Sequence, residues 1–555
     1  MISLNDLTAR LKANWRTLAL AGVGLIVLFN VTSCILKAGG PKYSVSMLVH
    51  PSPFHGINNL ALGPSGELYA ASAFGGGIYK NPGAGWKSKK FIALEDGAND
   101  IAVAPNGAIA WTQTFKGRVY IRDANGATRL LLKNFAGAHS VAFAPDGTLY
   151  VSQNGAADAL WQIDPAGVAP LRRVADNIGE LRGFIFGPDG FIYGALAEAK
   201  SFAKIDPKTG EVLQSVAGYA EPMAIVLAPD GVFYGVDGGD GALDRIEMAT
   251  STSSRYVWLP QGVNDLVIDG RGIAYAALPS EDAILKIDMK TRAISNLVAG
   301  KLGAPGDVNL MRSDEGDVLG VTDQYAFRTV ELNSGEVKDW LRLYSSSLSG
   351  AAGIGSGRRW ALIASPLTGT VSVADRITHK ITATLRGFSM PTDALETDDG
   401  RFVVLDSSVG ELSLASAPDG VERRTIARGL KNPTAMASDG RGGVYVTETG
   451  LGRVVRIDLA NGELTPVIDG LDMPEGIDTG PDGRIFVAEA GAGRVSAIDA
   501  LTGKKQVVAE KLALRPAGDN RLGSVLTSGL AIGQDGAIYV TSSQGNGIYK
   551  LMPTP

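Results

Sequence analysis

The sequence predicts an all-β protein made of tandem β-propellers, with about twelve four-stranded blades set in two six-bladed rings. Three observations carry this expectation: a glycine-anchored turn that recurs twelve times, strand-like apolar runs on both sides of each turn, and no long stretch of helical apolar spacing after Tyr43. The anchor glycines are Gly66, Gly107, Gly147, Gly190, Gly231, Gly272, Gly316, Gly357, Gly400, Gly442, Gly483 and Gly536. Steps of 40 to 44 residues separate them, until a last step of 53. Gly and Pro recur every few residues, which suits turns and breaks helices.

The strands of one repeat follow in order. The first two are read from LALGPSGELYA at Leu60, VAFAPDGTLYV at Val141, FIFGPDGFIYG at Phe184, IDTGPDGRIFV at Ile477 and LAIGQDGAIYV at Leu530. Apolar residues, a Pro or Asp that opens a turn, a Gly that tolerates positive φ, and then alternating large residues spell a β-hairpin. A third strand shows in LWQIDPAG, FAKIDPKTG, ILKIDMKT, VVRIDLANG and VSAIDALTG, and a fourth after the next polar turn in EVLQSVAG, AISNLVAG and ELTPVIDG.

Strand arithmetic favours two rings of six over one ring of twelve, and leaves seven plus five open. SVSMLVH, Ser44 to His50, reads as a lone fourth strand ahead of the first blade, while the chain ends on GIYKL, a third strand with no fourth. If Ala293 to Gly300 crosses over to the second ring, each ring is completed by a strand from its own start, which removes exposed edges. The expected division is then 44–292 and 293–555.

The repeats resemble those of the NHL and SMP-30/gluconolactonase-like group of six-bladed propellers, which carry a Pro-Asp-Gly-x-hydrophobic-Tyr core. The best copies are NPTAMASDGRGGVYVTETGLGRVVRIDLANG from Asn432 and MPEGIDTGPDGRIFVAEAGAGRVSAIDALTG from Met473, and the resemblance runs through nearly everything after Tyr43. That fold hosts lactonases, esterases, lyases and pure binding modules, so function has to be argued from a site.

The first 33 residues read as a signal. Arg10, Lys12 and Arg16 precede an apolar run, Leu18 to Phe29, too short for a confident span. Val31-Thr32-Ser33-Cys34 then resembles a bacterial lipobox, which would make Cys34 the lipidated N-terminus and 34–43 a linker. An uncleaved signal anchor is the alternative. Both readings place the propellers outside the cytoplasm on a membrane, with the outer membrane slightly favoured because Ile35 follows Cys34. Cys34 is the only cysteine, so no disulfide is expected. With 52 Lys and Arg against 57 Asp and Glu, the net charge is −5 and no basic patch stands out, which argues against nucleic acid as a partner.

Candidate site residues come from the start of each inner strand, because those positions gather at one mouth of a propeller's channel. For the first ring they are Asn58, Asn59, Asn99, Asp100, His139, Arg182, Glu221, Asn264 and Asp265; for the second, Asp307, Gly353, Thr392, Asp393, Thr434, Glu475 and Ser528. The resemblance to SMP-30-like enzymes and paraoxonases implies calcium at that mouth, since GANDIAV from Gly97 and GVNDLVI from Gly262 match their Asn-Asp element. On that reading Asn99, Asn264 and Asp265 are metal ligands, with Glu221 as a second carboxylate and His139 as the base. The family's first-blade Glu is replaced by Gly56-Ile57-Asn58-Asn59, and Asn or Asp before a strand also closes turns. Neither a zinc His pair nor a nucleophile-elbow or phosphate-loop motif occurs. An insertion at Lys511 to Val525 carries Arg515, Asp519, Asn520 and Arg521, expected to form a lid or partner loop over the second mouth. The expected function is a tethered extracytoplasmic binder of a periplasmic protein or a small ligand, with a calcium-dependent lactonase or esterase as the alternative.

Overall fold

A computed structural model describes residues 43–51, 54–81, 89–94, 97–312, 316–342, 348, 350–514 and 527–554. The signal region with Cys34, and Arg515, Asp519, Asn520 and Arg521 of the insertion, lie outside the described residues. Two compact units are distinguished, 1–44 with 552–555, and 45–551. In the first, Ser44 Oγ donates to the Met552 carbonyl; the second holds the propeller body. Among the described residues no helix is long and apolar enough to cross a membrane.

The chain forms twelve four-stranded antiparallel sheets. Blades 1 to 6 span 57–93, 101–132, 138–176, 181–217, 222–258 and 265–298; blades 7 to 11 span 305–342, 353–385, 391–428, 433–468 and 474–509; blade 12 takes 530–553 together with the first strand, Tyr43–Val49. Among the described residues nine of the anchor glycines close their turns the same way, whereas Gly357 N donates to Trp360 O. At the first, Gly66 N donates to Gly63 O at 2.9 Å with Gly66 at φ 81°, a conformation that favours glycine. The turn aspartates are structural: Asp146 Oδ1 accepts from Thr148 N at 2.9 Å.

Two closed circuits of inner strands result. Blades 1 to 6 pack side by side and blade 6 meets blade 1; blades 7 to 12 do the same and blade 12 meets blade 7. Across the first closure Leu60 N donates to Asp265 Oδ2 (2.8 Å), and across the second Thr541 Oγ1 donates to Gly306 O (2.5 Å). Adjacent blades bury interleaved apolar faces. Between blades 5 and 6 these include Val236, Leu243, Val263, Leu266 and Ile287, each worth about 1.5–3 kcal/mol of burial.

The strand exchange differs from the expectation. Ile294–Val298 pairs with Ala283–Asp288 of its own blade and does not cross over. The reason is local: Lys290 N and Thr291 N both donate to Asp288 Oδ1 and Arg292 N to Asp288 O, so the chain turns straight back. The unpaired edge falls in blade 12 instead, and the first strand covers it, with Ser46 Oγ donating to Lys550 O at 3.1 Å. The whole first ring therefore lies, in sequence, between two pieces of a blade of the second.

The two rings meet through the ends where their inner strands begin. Asn546 Nδ2, in the blade 12 turn, donates to Leu302 O (2.6 Å) and Asp282 Oδ2 (3.3 Å). Arg342 Nη1 donates to Gln261 O (3.0 Å) and Nη2 pairs with Glu281 (3.2 Å). Arg328, only 3% exposed, bonds to the carbonyls of Ser280 and Lys301 and pairs with Asp339 at 2.9 Å.

Candidate functional site

The sequence-selected residues of the first ring do converge on one mouth. In blades 1, 3, 4 and 5 the pairing shifts register near the start of the inner strand, a bulge that re-aims the side chains there. Asn58 Nδ2 donates to Asn99 O (2.9 Å) and Oδ1 (3.1 Å), while Asn264 Nδ2 donates to Asn58 O (2.8 Å). Asn99 Nδ2 reaches His139 O at 3.5 Å. In the next blades Arg182 Nη1 lies 2.9 Å from Glu221 Oε2 and 3.4 Å from Met223 Sδ. His139 Nδ1 sits 3.0 Å from Ser140 Oγ. Burial, helped by the Arg182 charge, pushes the His139 imidazole down to about 4, so it is neutral at neutral pH.

One layer deeper, Asp100 and Asp265 tie inner strands together. Asp100 accepts Ile101 N (2.6 Å) and, from the next blade, Val141 N (3.0 Å). Asp265 accepts Leu60 N across the ring closure. Burial lifts Asp100 to about 7, and burial with the neighbouring Asp100 lifts Asp265 to about 8.

Calcium does not fit this donor set. Glu221 is held by a guanidinium, the Asn99 amide oxygen already accepts from Asn58, and Asp265 Oδ2 already accepts from Leu60 N. Among the described residues no group of three His, Cys, Asp or Glu side chains is placed to hold a metal.

The second ring is arranged differently. Asp307 and Asp393 repeat the inter-strand tie, accepting Ile354 N (3.1 Å) and Met436 N (2.8 Å) from the following blades. Glu475, fully buried, accepts Ser528 N (2.7 Å), and Ser528 Oγ donates to Leu514 O (2.7 Å). The three carboxylates expected at this mouth thus bind backbone. Glycines press the strands together here: a Cβ on Gly353 would lie 1.9 Å from Thr392 O, on Gly476 2.5 Å from Leu530 N, and on Gly529 2.2 Å from Asp307 Oδ1.

At the opposite end of the second ring, where the Pro-Asp-Gly-type turns lie, a cavity of about 1390 Å³ opens. Ile354, Met436, Ile477 and Ile532 supply apolar surface, and Arg312, Arg358, Arg376, Glu396 and Asp478 supply charge of both signs. Asp478 accepts Thr479 N (2.7 Å) and Ile532 N (2.9 Å); burial raises it to about 6 against the pull of Arg312. Arg376 donates to the carbonyls of Gly357, Arg358 and Arg312, and its buried Nε has no hydrogen-bond partner. His379 lies on Trp340 with ring centroids 4.1 Å apart, and Ser356 Oγ is bonded to Asn309 and to Leu310 O. Among the described residues of this lining, no hydroxyl is hydrogen-bonded to an imidazole. The signal in the sequence that marks this end is the set of glycines, Gly353, Gly476 and Gly529, that pinch the other end.

Among family models, that of a repeat of unknown function (DUF6923) matches residues 120–225. No curated protein matches. Among solved structures, the chain is similar to a selenomethionine-substituted virginiamycin B lyase from Staphylococcus aureus, at 16% identity over 49% of this chain and 92% of that one, TM-score 0.32. It is also similar to a streptogramin B lyase structure, at 13% identity over 68% of this chain and 94% of that one, TM-score 0.25.

Proposed function

We propose that the chain is a membrane-tethered, extracytoplasmic propeller protein that binds a ligand or a partner segment through the turn end of its second ring, without chemistry of its own. The observation that carries this reading is the cavity of about 1390 Å³, with mixed charge around apolar surface and no paired nucleophile and base. The Pro-Asp-Gly-x-hydrophobic-Tyr core supports placing the repeats with the NHL and SMP-30/gluconolactonase-like group. The tether rests on Arg10, Lys12, Arg16, the apolar run Leu18 to Phe29 and Cys34.

Native mass spectrometry of protein purified from its own host tests the cavity. We expect a retained molecule on wild type that is weakened or lost in Ser438→Trp, whose bulk intrudes into the space; equal retention by both would remove the proposal. Cys34→Ser should move the protein from the membrane to the soluble fraction, and unchanged partition would remove the lipid tether. The calcium-dependent lactonase or esterase alternative rests on the first mouth, where Asn99 Nδ2 reaches His139 O, Asn264 Nδ2 donates to Asn58 O and Glu221 pairs with Arg182. A lactone and ester screen of wild type beside His139→Ala decides it, and turnover lost in that variant would overturn a pure binding role.

A further inference from the structure

In blades 8, 9 and 11 the turn between the third and fourth strands carries an aliphatic side chain out into solvent. Asp375 Oδ1 accepts from Ile377 N and Thr378 N (both 2.9 Å), and Asp499 Oδ1 accepts from Leu501 N (3.0 Å) and Thr502 N (2.8 Å). With the carboxylate under the turn, the residue two places on is held outward: Ile377 is 84% exposed and Leu501 92%. Val421, whose N donates to Asp419 Oδ1 (3.2 Å), is 79% exposed. The first ring builds the same turn on Asp206 and Asp288, and there the outward residue is Lys208 or Lys290. The turn itself therefore has no need of an aliphatic side chain. Single exposed aliphatic residues are common on any surface, but these three share one rim of one ring.

That rim surrounds the second-ring cavity. Antiparallel strands alternate in direction, so the turn between the third and fourth strands lies at the same end as the Pro-Asp-Gly-type turn, and Ile377 itself lines the cavity. The chain also enters the ring at this end. Ser46 Oγ donates to Lys550 O, and a Cβ on Gly547 would lie 2.6 Å from Val49 O, so the first strand runs antiparallel to the last. Its start at Val45, about half exposed, therefore falls at the turn end of blade 12. Cys34 stands eleven residues before Val45 in the sequence, so the two can be no farther apart than about 40 Å. A lipid on Cys34 thus holds this end of the ring close to the bilayer.

We propose that the turn end of the second ring docks on the lipid surface, with Ile377, Val421 and Leu501 entering the interface and the cavity opening onto it. The inference rests on the tether reading above. Interfacial side chains reach about 5–10 Å into the boundary of headgroups and acyl chains, the depth of a spin label near the glycerol end of a lipid chain. The test uses the full-length chain reconstituted in phosphatidylcholine vesicles that contain such a spin-labelled lipid. An environment-sensitive fluorophore is attached to Ile377→Cys, Val421→Cys or Leu501→Cys in turn, with wild type as the background for Cys34. Two controls are Leu451→Cys, at the opposite end of the same ring, and Val168→Cys, at the corresponding turn of blade 3 and 87% exposed. We expect quenching at 377, 421 and 501 and none at 168 or 451. Raising the salt to about 0.5 M should leave it unchanged, because the contact is apolar. Ile377→Asp with Leu501→Asp should abolish the quenching at 421, since carboxylates resist leaving water. Flotation of the vesicles reads the tether separately. Protein that floats with its three tips unquenched would overturn the docking and leave the tether standing, whereas protein that does not float would overturn both. Quenching at 168 or 451 as strong as at the tips, or quenching at 421 that survives the double Asp variant, would also overturn the docking. The labelled single variants replace solvent-exposed turn residues, so they remain informative if the double variant does not fold.

Discussion

Asp265 holds a proton in the folded chain over a pH range in which an unfolded aspartate has lost it. Burial and the adjacent Asp100 lift it from the usual 3.8 to about 8. Below about pH 4 both states hold the proton. Between about 4 and 8 only the folded state does, so this group's contribution to stability falls as pH rises through the window. Asp265→Asn keeps an acceptor for Leu60 N and cannot ionise. We expect the variant to match wild type near pH 5 and to exceed it by about 1–3 kcal/mol at pH 8.5. Thermal melts at the two pH values measure this, and a variant less stable at pH 8.5 would mean that the ionised carboxylate is the better strut. Calcium enters the same comparison. With Glu221 on Arg182 and Asn99 bonded to Asn58, addition of calcium or of chelator should leave the melting temperature of wild type and of Asn99→Ala where it was. Asn99→Ala should cost about 1 kcal/mol through the lost amide bond, at any calcium level.

The inner strands show which features of this molecule can be read from sequence and which cannot. Hairpins built on Gly66, Gly147 or Gly483 are local, set by a few adjacent residues, and their period delivered the twelve blades. The partner of the first strand is non-local: Val45–Val49 and Gly547–Leu551 lie some five hundred residues apart, and nothing within either segment names the other. What decided the matter was the Asp288 turn, a short-range signal that holds Ile294–Val298 in its own blade. The second-ring cavity was illegible for a related reason, since it is assembled from the far ends of several blades while glycines tighten the near ends. Gly476→Ala tests that tightening. Its Cβ would meet the backbone of 528–530, none of which can give way, so a loss of about 3 kcal/mol or more is expected in denaturant unfolding. Loss below about 1 kcal/mol would show that the strands have room.

Chain connectivity gives the whole molecule a single topological lock. Blade 12 holds the first strand on its outer edge, and the first ring departs from that strand and returns into blade 7, so both ends of the first ring are anchored in the second. The lock is reinforced at one buried point, where Asn546 Nδ2 reaches Leu302 O and Asp282 Oδ2 while Phe54 N and Ile57 N also donate to Asp282. Phe54 leads into blade 1, Asp282 belongs to blade 6 and Leu302 leads into blade 7, so one amide side chain bonds the closure of the first ring to the start of the second. Coupling of this kind should make the rings unfold together, in one calorimetric transition whose van't Hoff and calorimetric enthalpies agree. Asn546→Ala strips the donor from three buried acceptors and keeps both ring cores intact. We expect it to split the transition in two, with the first ring melting earlier because its closure depends on Asp282. If Asn546→Ala lowers one undivided transition instead, the coupling resides in Arg328 and Arg342, and the double variant Arg328→Met with Arg342→Met should then produce the split.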